Sequence, residues 1–289
     1  MEDNLRNHQL SNYAEEQLEK VGIVVRKMDE VLQELINISN GTGDLSVEDL
    51  VAITIFRKAL DKCNAVFAIS NLGVESSVQI VLRNLLELLL GTKYLLECPS
   101  EFKQRANQYY LCSLKDKIHQ LKLYTGKKKG MELSEILKNM SITEDQKRAM
   151  NQEIIRIEKR IKAHEGLSQA NKSYQQSSNS SPKWYSLNDG PESLHQLAKK
   201  YSYTPEYLLL YQAWSREAHG VNATDDVLLS DGEGGGIIRQ VTSYTNIDFY
   251  INMTAKYSAL IMLMYVKFFY STSDQNSFLR WYERTMIEE

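Results

Sequence analysis

Proline is scarce in this chain, and apolar residues recur along it at the spacing of an α-helix. Only four prolines occur in 289 residues, so few positions break a helix by removing an N–H and clashing with the preceding turn. Long stretches repeat an apolar residue every three or four positions, which places those residues on one helix face. Few segments have the sequence pattern of a strand. We therefore predict an all-α fold, namely a multi-helix bundle.

Helix starts are indicated by capping residues. Ser46 and Thr143 each stand three positions before an acidic or amide residue, a spacing typical of a helix N-terminus. Pro99 ends one helix and Ser100 can cap the next, while Thr204 precedes a proline in a helical first turn. An apolar stretch at about 74–97 is predicted as a central helix, because it is apolar nearly all round.

The middle of the chain changes in composition. Residues 115–162 contain thirteen lysines or arginines against seven acidic residues, a local charge of +6 in a chain of net charge −3. Residues 168–181 are rich in Ser, Asn and Gln, which predicts a flexible loop. The domain prediction is one all-α domain over residues 1–289, with its core at about 46–125 and 192–289. This core then carries an inserted basic hairpin and flexible loop at about 126–191.

The basic segment supplies candidate RNA-binding residues, because a local excess of positive charge attracts a polyanion. These candidates are Lys127, Lys128, Lys129, Arg156 and Arg160. The competing interpretation is a projecting helical hairpin whose charged faces are solvated, because most runs of charge are solvated surface. The net charge of −3 for the whole chain argues against nonspecific binding along nucleic acid.

Composition and spacing also exclude several classes of site. The three cysteines lack C-x-x-C spacing, and no metal-binding cluster is predicted around His8, His119 or His195, so we predict no metal and no cofactor. The N-terminal sequence has no basic region followed by an apolar run. Residues 257–269 are apolar but too short for a span, and they include Lys267. We expect a cytoplasmic protein without a membrane segment.

Two polar pairs interrupt apolar helical sequence. Arg83 and Glu87 lie in VLRNLLELLL, and Ser215 and His219 lie in YQAWSREAHG. The i, i+4 spacing places both members of a pair on one helix face, one turn apart. Burying a charged pair among leucines is costly unless the charges are paired or used. These four residues are the candidate catalytic site, and we expect their two helices to pack side by side with the pairs facing each other.

The order of these residues resembles a known family. Arg-x3-Glu on an apolar helix, then Trp184-Tyr185, then Tyr-x3-Ser-x3-His-Gly beginning at Tyr211, is similar to a widespread bacterial family of helical proteins catalogued as a domain of unknown function. The resemblance covers about residues 74–270 and implies an all-α fold. The same order is similar, more distantly, to the HEPN superfamily. Many HEPN proteins are metal-independent ribonucleases of toxin, antiphage-defence and RNA-processing systems.

The HEPN resemblance also implies a homo-oligomer, because those nucleases assemble an Arg-x4-6-His motif in duplicate across a dimer. This chain keeps the arginine, Arg83, and a polar residue after it, Asn84. No histidine follows at the spacing of the motif, and position 87 is a glutamate.

RNA cleavage without a metal needs a base, an acid and a cation that holds the phosphate. His219 is the candidate acid or base, because imidazole titrates near neutral pH. Arg83 can hold the phosphate by two hydrogen bonds, while Glu87 orients the histidine and Ser215 donates a further hydrogen bond. We expect an RNA-cleaving or RNA-binding effector of a bacterial defence or toxin-like system, which as an enzyme is a metal-independent endoribonuclease. Its expected partners are RNA, a second copy and a protein from a defence operon.

The alternative is a non-catalytic helical scaffold or small-ligand sensor. Arg83 and Glu87 are then a buried ion pair that ties two helices, and His219 is a satisfied histidine at a helix end. The two interpretations differ in whether Arg83, Glu87 and His219 converge in an open cleft or lie sealed in the core.

Overall fold

Helices account for most of the chain that the computed structural model describes. The described residues are 10–41, 45–126, 142–219, 227–229, 236–238 and 247–287. The prediction of an all-α, multi-helix bundle is confirmed. The chain divides into two compact units, one of Met1–Glu97 with Leu194–Glu289 and one of Cys98–Ser193. The assignment of one domain to the whole chain stays a prediction.

The elements follow in chain order. They are α1 (Asn12–Asn40), α2 (Val47–Ser70), α3 (Glu75–Leu96), α4 (Pro99–Tyr124), α5 (Glu144–Ala163), α6 (Glu165–Gln176), a 3-10 turn (Trp184–Ser186), α7 (Leu194–Lys200), α8 (Thr204–Glu206), a π-helical turn (Tyr207–Tyr211), α9 (Gln212–Ala218), β1 (Val227–Leu229), β2 (Gly236–Ile238), α10 (Ile247–Phe269) and α11 (Thr272–Met286). The two short strands pair antiparallel, with Val227 opposite Ile238.

Four long helices, α1, α2, α3 and α10, pack together in the first unit. α3 lies against α2 and α10 and also contacts α7 and α9, so it is the central helix that its apolar sequence predicts. Six of its leucines are almost completely buried, namely Leu82, Leu85, Leu86, Leu89, Leu90 and Leu95. Burial of each such side chain contributes about 1.5–3 kcal/mol. The fixed core of leucines sets the position of the polar residues on the same helix.

α10 contains the apolar residues 257–269 and is a core helix, as predicted. Tyr257, Ile261 and Tyr265 are fully buried, and the Tyr265 hydroxyl donates to the carbonyl oxygen of Ala52 at 2.8 Å. Across the described ranges, no helix combines the length and the apolarity that a membrane crossing requires.

The predicted helix starts are observed within one or two residues. Ser46 accepts the N–H of Asp49 at 3.1 Å, and Thr143 forms a reciprocal capping box with Gln146. α4 begins at Pro99 instead of after Ser100, because proline fits a first helical position, where no N–H is needed.

The second unit has a hydrophobic core of its own. It consists of Leu111, Leu114, Ile118, Ile154, Ile157, Ile161, Leu167 and Ala170. The flexible loop predicted at 168–181 is wrong for its first half, because α6 extends to Gln176. The His164 side chain caps this helix by accepting the N–H of Leu167 at 3.3 Å. Leu167 and Ala170, which are buried and one turn apart, therefore stabilise a helix in a sequence that looks polar throughout.

Candidate functional site

α3 packs beside α9 and also contacts the π-helical turn that precedes α9. This bears out the expectation that the helices carrying the two polar pairs lie side by side. Arg83 and Glu87, however, meet Tyr211 of the π-helical turn. All three residues belong to the first unit.

Tyr211 connects the two charges of α3. Arg83 Nη2 donates to the Tyr211 hydroxyl at 3.0 Å, and that hydroxyl donates to Glu87 Oε1 at 2.8 Å. Arg83 Nε lies 3.6 Å from Glu87 Oε1, and the two side chains are 22% and 39% exposed. Arg83 Nε is buried and donates no hydrogen bond within the described residues. The cluster is therefore held together internally and is still open to solvent.

Burial of Tyr211 raises the pKa of its phenol. The Glu87 carboxylate raises that pKa further, because it attracts the phenolic proton, while the hydrogen bond from Arg83 lowers it. The net shift is upward. The phenol consequently stays protonated and can donate to Glu87 throughout the physiological pH range.

Three aromatic rings stack in line next to Arg83. The Tyr207 and Tyr211 ring centroids are 5.1 Å apart with planes 14° apart, and His195 stacks on Tyr207 at 4.9 Å and 18°. We call His195, Tyr207 and Tyr211 the aromatic ladder. The Arg83 guanidinium lies 4.9 Å from the Tyr211 ring centroid at one end, and His195 is exposed at the other.

The π-helical turn supplies two of the three rings. The N–H of Gln212 donates to the carbonyl oxygen of Tyr207, five residues earlier, which is the hydrogen bond that defines a π-helix. Such a turn carries one more residue than an α-helical turn. π-Helical turns inside α-helices occur frequently at functional sites.

Ser215 and His219 lie further along the same helix. His219 is an exposed C-cap residue whose N–H donates to the carbonyl oxygen of Arg216 at 3.2 Å. Tyr211, Ser215 and His219 recur every four residues and so share a face, but a rise of 1.5 Å per residue separates the first from the last by about 12 Å. Within the described chain, neither Ser215 nor His219 forms a hydrogen bond with Arg83 or Glu87.

The candidate RNA-binding residues fall in the second unit. Lys127, Lys128 and Lys129 lie outside the described residues. Arg156 on α5 lies 2.5 Å from a Glu153 oxygen. The Arg160 guanidinium on the same helix lies 5.1 Å from the Tyr110 ring centroid. Both arginines are exposed, and each already interacts with a neighbour.

Side chains that commonly bind metals are dispersed. No group of three or more histidine, cysteine or acidic residues in the described ranges could hold a metal ion. Cys63, Cys98 and Cys112 are free thiols. Burial raises the pKa of Cys63 and of Cys112 to about 12, so both remain protonated and unreactive.

Two residues of the aromatic ladder, Tyr207 and His195, were not predicted from the sequence. Tyr207 and Tyr211 stand four apart in YLLLY, a spacing that places two rings next to each other on a helix. His195 comes from α7 and reaches Tyr207 through tertiary packing, so no sequence signal marks it. Tyr211 belongs to the pattern that carries the family resemblance, but its role as the link between Arg83 and Glu87 required the structure.

Comparison with known proteins gives one match. A family model matches residues 49–236, more than half of the chain, and this range contains every candidate catalytic residue. The comparisons with curated proteins and with solved structures give no match. The chain therefore belongs to the family described as Family of unknown function (DUF5677).

Proposed function

We propose that this protein is an RNA-binding or RNA-cleaving effector of a bacterial defence or toxin-like system, distantly related to the HEPN ribonucleases. The observation that carries the proposal is the position of Arg83 at one end of the aromatic ladder. A guanidinium binds phosphate through paired hydrogen bonds, and aromatic rings stack on the unpaired bases of single-stranded RNA. Arg83 and the aromatic ladder together offer a contact for a phosphate and a contact for a base within the length of three stacked rings.

Glu87 and Tyr211 hold the Arg83 side chain for this role. A guanidinium fixed by neighbouring hydrogen bonds needs little reorganisation when phosphate charge builds up, which favours stabilisation of a transition state.

His219 is the proposed acid or base. The 2′-hydroxyl loses its proton to the base and attacks the neighbouring phosphorus, and the 5′-oxygen leaves with a proton from the acid. The products are a 2′,3′-cyclic phosphate and a free 5′-hydroxyl, and no metal takes part. Because about 12 Å of helix separates His219 from Tyr211, the histidine that acts at the Arg83 phosphate comes from a second copy in the dimer that the HEPN resemblance implies.

The experiment is incubation of the full-length protein with total RNA in the presence of EDTA. Wild type should cleave RNA, and His219→Ala should abolish cleavage while its melting temperature stays near that of wild type. His119→Ala removes an exposed histidine from α4 and is the matched control, which should cleave normally. Cleavage by His219→Ala at the wild-type rate would contradict the catalytic role of this residue.

A structural role is the second candidate function, and the closed set of hydrogen bonds among Arg83, Tyr211 and Glu87 favours it. In that case Arg83→Ala leaves the partly buried Tyr211 and Glu87 without their shared partner and destabilises the fold by about 1–3 kcal/mol. RNA binding and cleavage are then absent from wild type as well. Measuring urea unfolding and RNA binding on wild type and on Arg83→Ala separates the two functions, because only an RNA site predicts binding by wild type.

A further inference from the structure

A polar cleft of about 640 Å³ lies between α4 and α6 in the second unit. Its lining residues and the aromatic ladder belong to different compact units, and none of the lining residues takes part in the function proposed above. Cavities of about 300–1,000 Å³ are the usual size for binding small molecules. The polar groups along the walls indicate what kind of molecule fits.

Asn107 lies in the wall of this cleft and is almost completely buried, with 1% of its surface exposed. Its Nδ2 donates to the carbonyl oxygen of Lys103 at 2.7 Å. Its Oδ1 accepts no hydrogen bond from any described residue. A buried acceptor without a donor is costly, so the cleft is suited to a molecule that brings an O–H or N–H to this atom.

Gly166 allows the Asn107 amide to occupy this place. A Cβ added to Gly166 would stand 2.7 Å from both Cγ and Oδ1 of Asn107, which is closer than two such atoms can approach. The missing side chain on α6 therefore provides the space in which the amide of α4 lies. The unpartnered acceptor is thus built into the contact between the two helices.

The N-terminus of α6 opens into the same cleft. Glu165 and Gly166 are its first two residues, and N–H groups at these positions have no partner within a helix. The His164 side chain satisfies only the N–H of Leu167. Orphan N–H groups at the positive end of a helix bind anions, and Lys103 adds a positive charge to the wall.

One group in the cleft opposes an anion. The Glu165 carboxylate is exposed and accepts from Gln169 Nε2 at 3.3 Å. Removing its charge should strengthen the binding of an anion, which makes Glu165 a diagnostic position.

We propose that this cleft binds a small organic phosphate that also carries hydroxyl groups. Its phosphate lies at the N-terminus of α6 near Lys103, and one of its hydroxyls donates to Asn107 Oδ1. Sugar phosphates and mononucleotides share this chemistry.

Isothermal titration calorimetry of the full-length protein with ribose 5-phosphate, AMP and inorganic phosphate tests the proposal. Tighter binding of ribose 5-phosphate or of AMP than of inorganic phosphate supports it, and the tighter of these two identifies the source of the phosphate. Inorganic phosphate that binds as tightly as both organic phosphates would overturn it, because the hydroxyl contact would then add nothing. Absence of binding by all three probes would overturn it as well.

Asn107→Leu tests the atom that carries the argument. Leucine has a similar shape and no acceptor, so affinity should fall by about tenfold or more, while stability is kept or raised because an unsatisfied group is removed. Asn151→Leu is the matched control, since Asn151 Oδ1 is also buried without a partner in the described chain but lies outside the cleft lining. It should bind as wild type does.

Glu165→Gln should tighten binding of the organic phosphate about threefold, because a like charge is removed at partial exposure. Wild-type affinity in Asn107→Leu, or weaker binding in Glu165→Gln, would refute the assignment. The melting temperature of each variant, measured without ligand, shows that the protein examined is folded.

Discussion

Tyr211 is the residue on which the geometry of the candidate site depends. Its hydroxyl accepts from Arg83 and donates to Glu87, so it satisfies both charges at once. An Arg–Glu pair at i, i+4 on an open helix surface stabilises by only about 0.2–0.5 kcal/mol. The hydroxyl adds hydrogen bonds to two charged partners, and these fix the orientation of the guanidinium.

Tyr211→Phe removes this hydroxyl and keeps the ring in the aromatic ladder. The free energy of unfolding should fall by about 1–3 kcal/mol, because a partly buried arginine and glutamate each lose a hydrogen bond. Urea unfolding at pH 8 measures this loss. Tyr13→Phe is the control, since Tyr13 is about half exposed, and equal stability of both variants would contradict the role of Tyr211.

The same variant has a pH signature. The pKa of Tyr211 in the folded state is raised above the ordinary tyrosine value of about 10, so the folded protein keeps this proton after the unfolded chain has released it. The stability from this group is complete below pH 10 and is lost as the pH rises through the folded pKa. Wild type should therefore lose stability more steeply than Tyr211→Phe above pH 10. Equal loss of stability by the two proteins above pH 10 would show that the pKa of Tyr211 is not raised in the folded state.

Single residues were predictable where their neighbours are close in sequence. Arg83 and Glu87 stand out because two charges interrupt a leucine-rich helix, and their i, i+4 spacing is visible without a structure. The partner Tyr211 is 128 residues from Arg83, and its position depends on how two helices pack. His195 joins the ladder for the same reason, and no local pattern reveals such a contact.

The π-helical turn Tyr207–Tyr211 is the element that differs most from its sequence pattern. The sequence after Thr204 predicts an ordinary α-helix, because side-chain periodicity distinguishes α from π poorly over one turn. Leu208 and Leu209 in this turn are exposed at 45% and 73%. Tyr207 and Tyr211 meanwhile face the same side, where they stack.

The first turn of α5 offers a test at the level of an element. Thr143 and Gln146 satisfy each other's backbone N–H groups in a capping box, so Thr143→Ala should cost about 1 kcal/mol of unfolding free energy. Thr143→Ser keeps the hydroxyl and should stay within a few tenths of wild type. Equal unfolding midpoints for the two variants would contradict the capping assignment.

The helical class of the molecule follows from its apolar repeat, but its division into compact units does not. α4 is amphipathic, and its pattern does not reveal which helices cover its apolar face. In the structure Leu111, Leu114 and Ile118 pack with residues of α5 and α6, so α4 belongs to the second unit. The basic residues of α5 lie on a helix whose other face enters this core.

Photo-crosslinking of single-stranded RNA containing 4-thiouridine to the full-length protein, with the attachment sites mapped by mass spectrometry, tests the central claim most directly. We expect cross-links on the aromatic ladder, at His195, Tyr207 or Tyr211. They should be lost in Arg83→Ala and kept in Arg148→Ala, which removes an exposed arginine from α5. Cross-links confined to other residues, or no cross-link in wild type, would contradict an RNA site at Arg83.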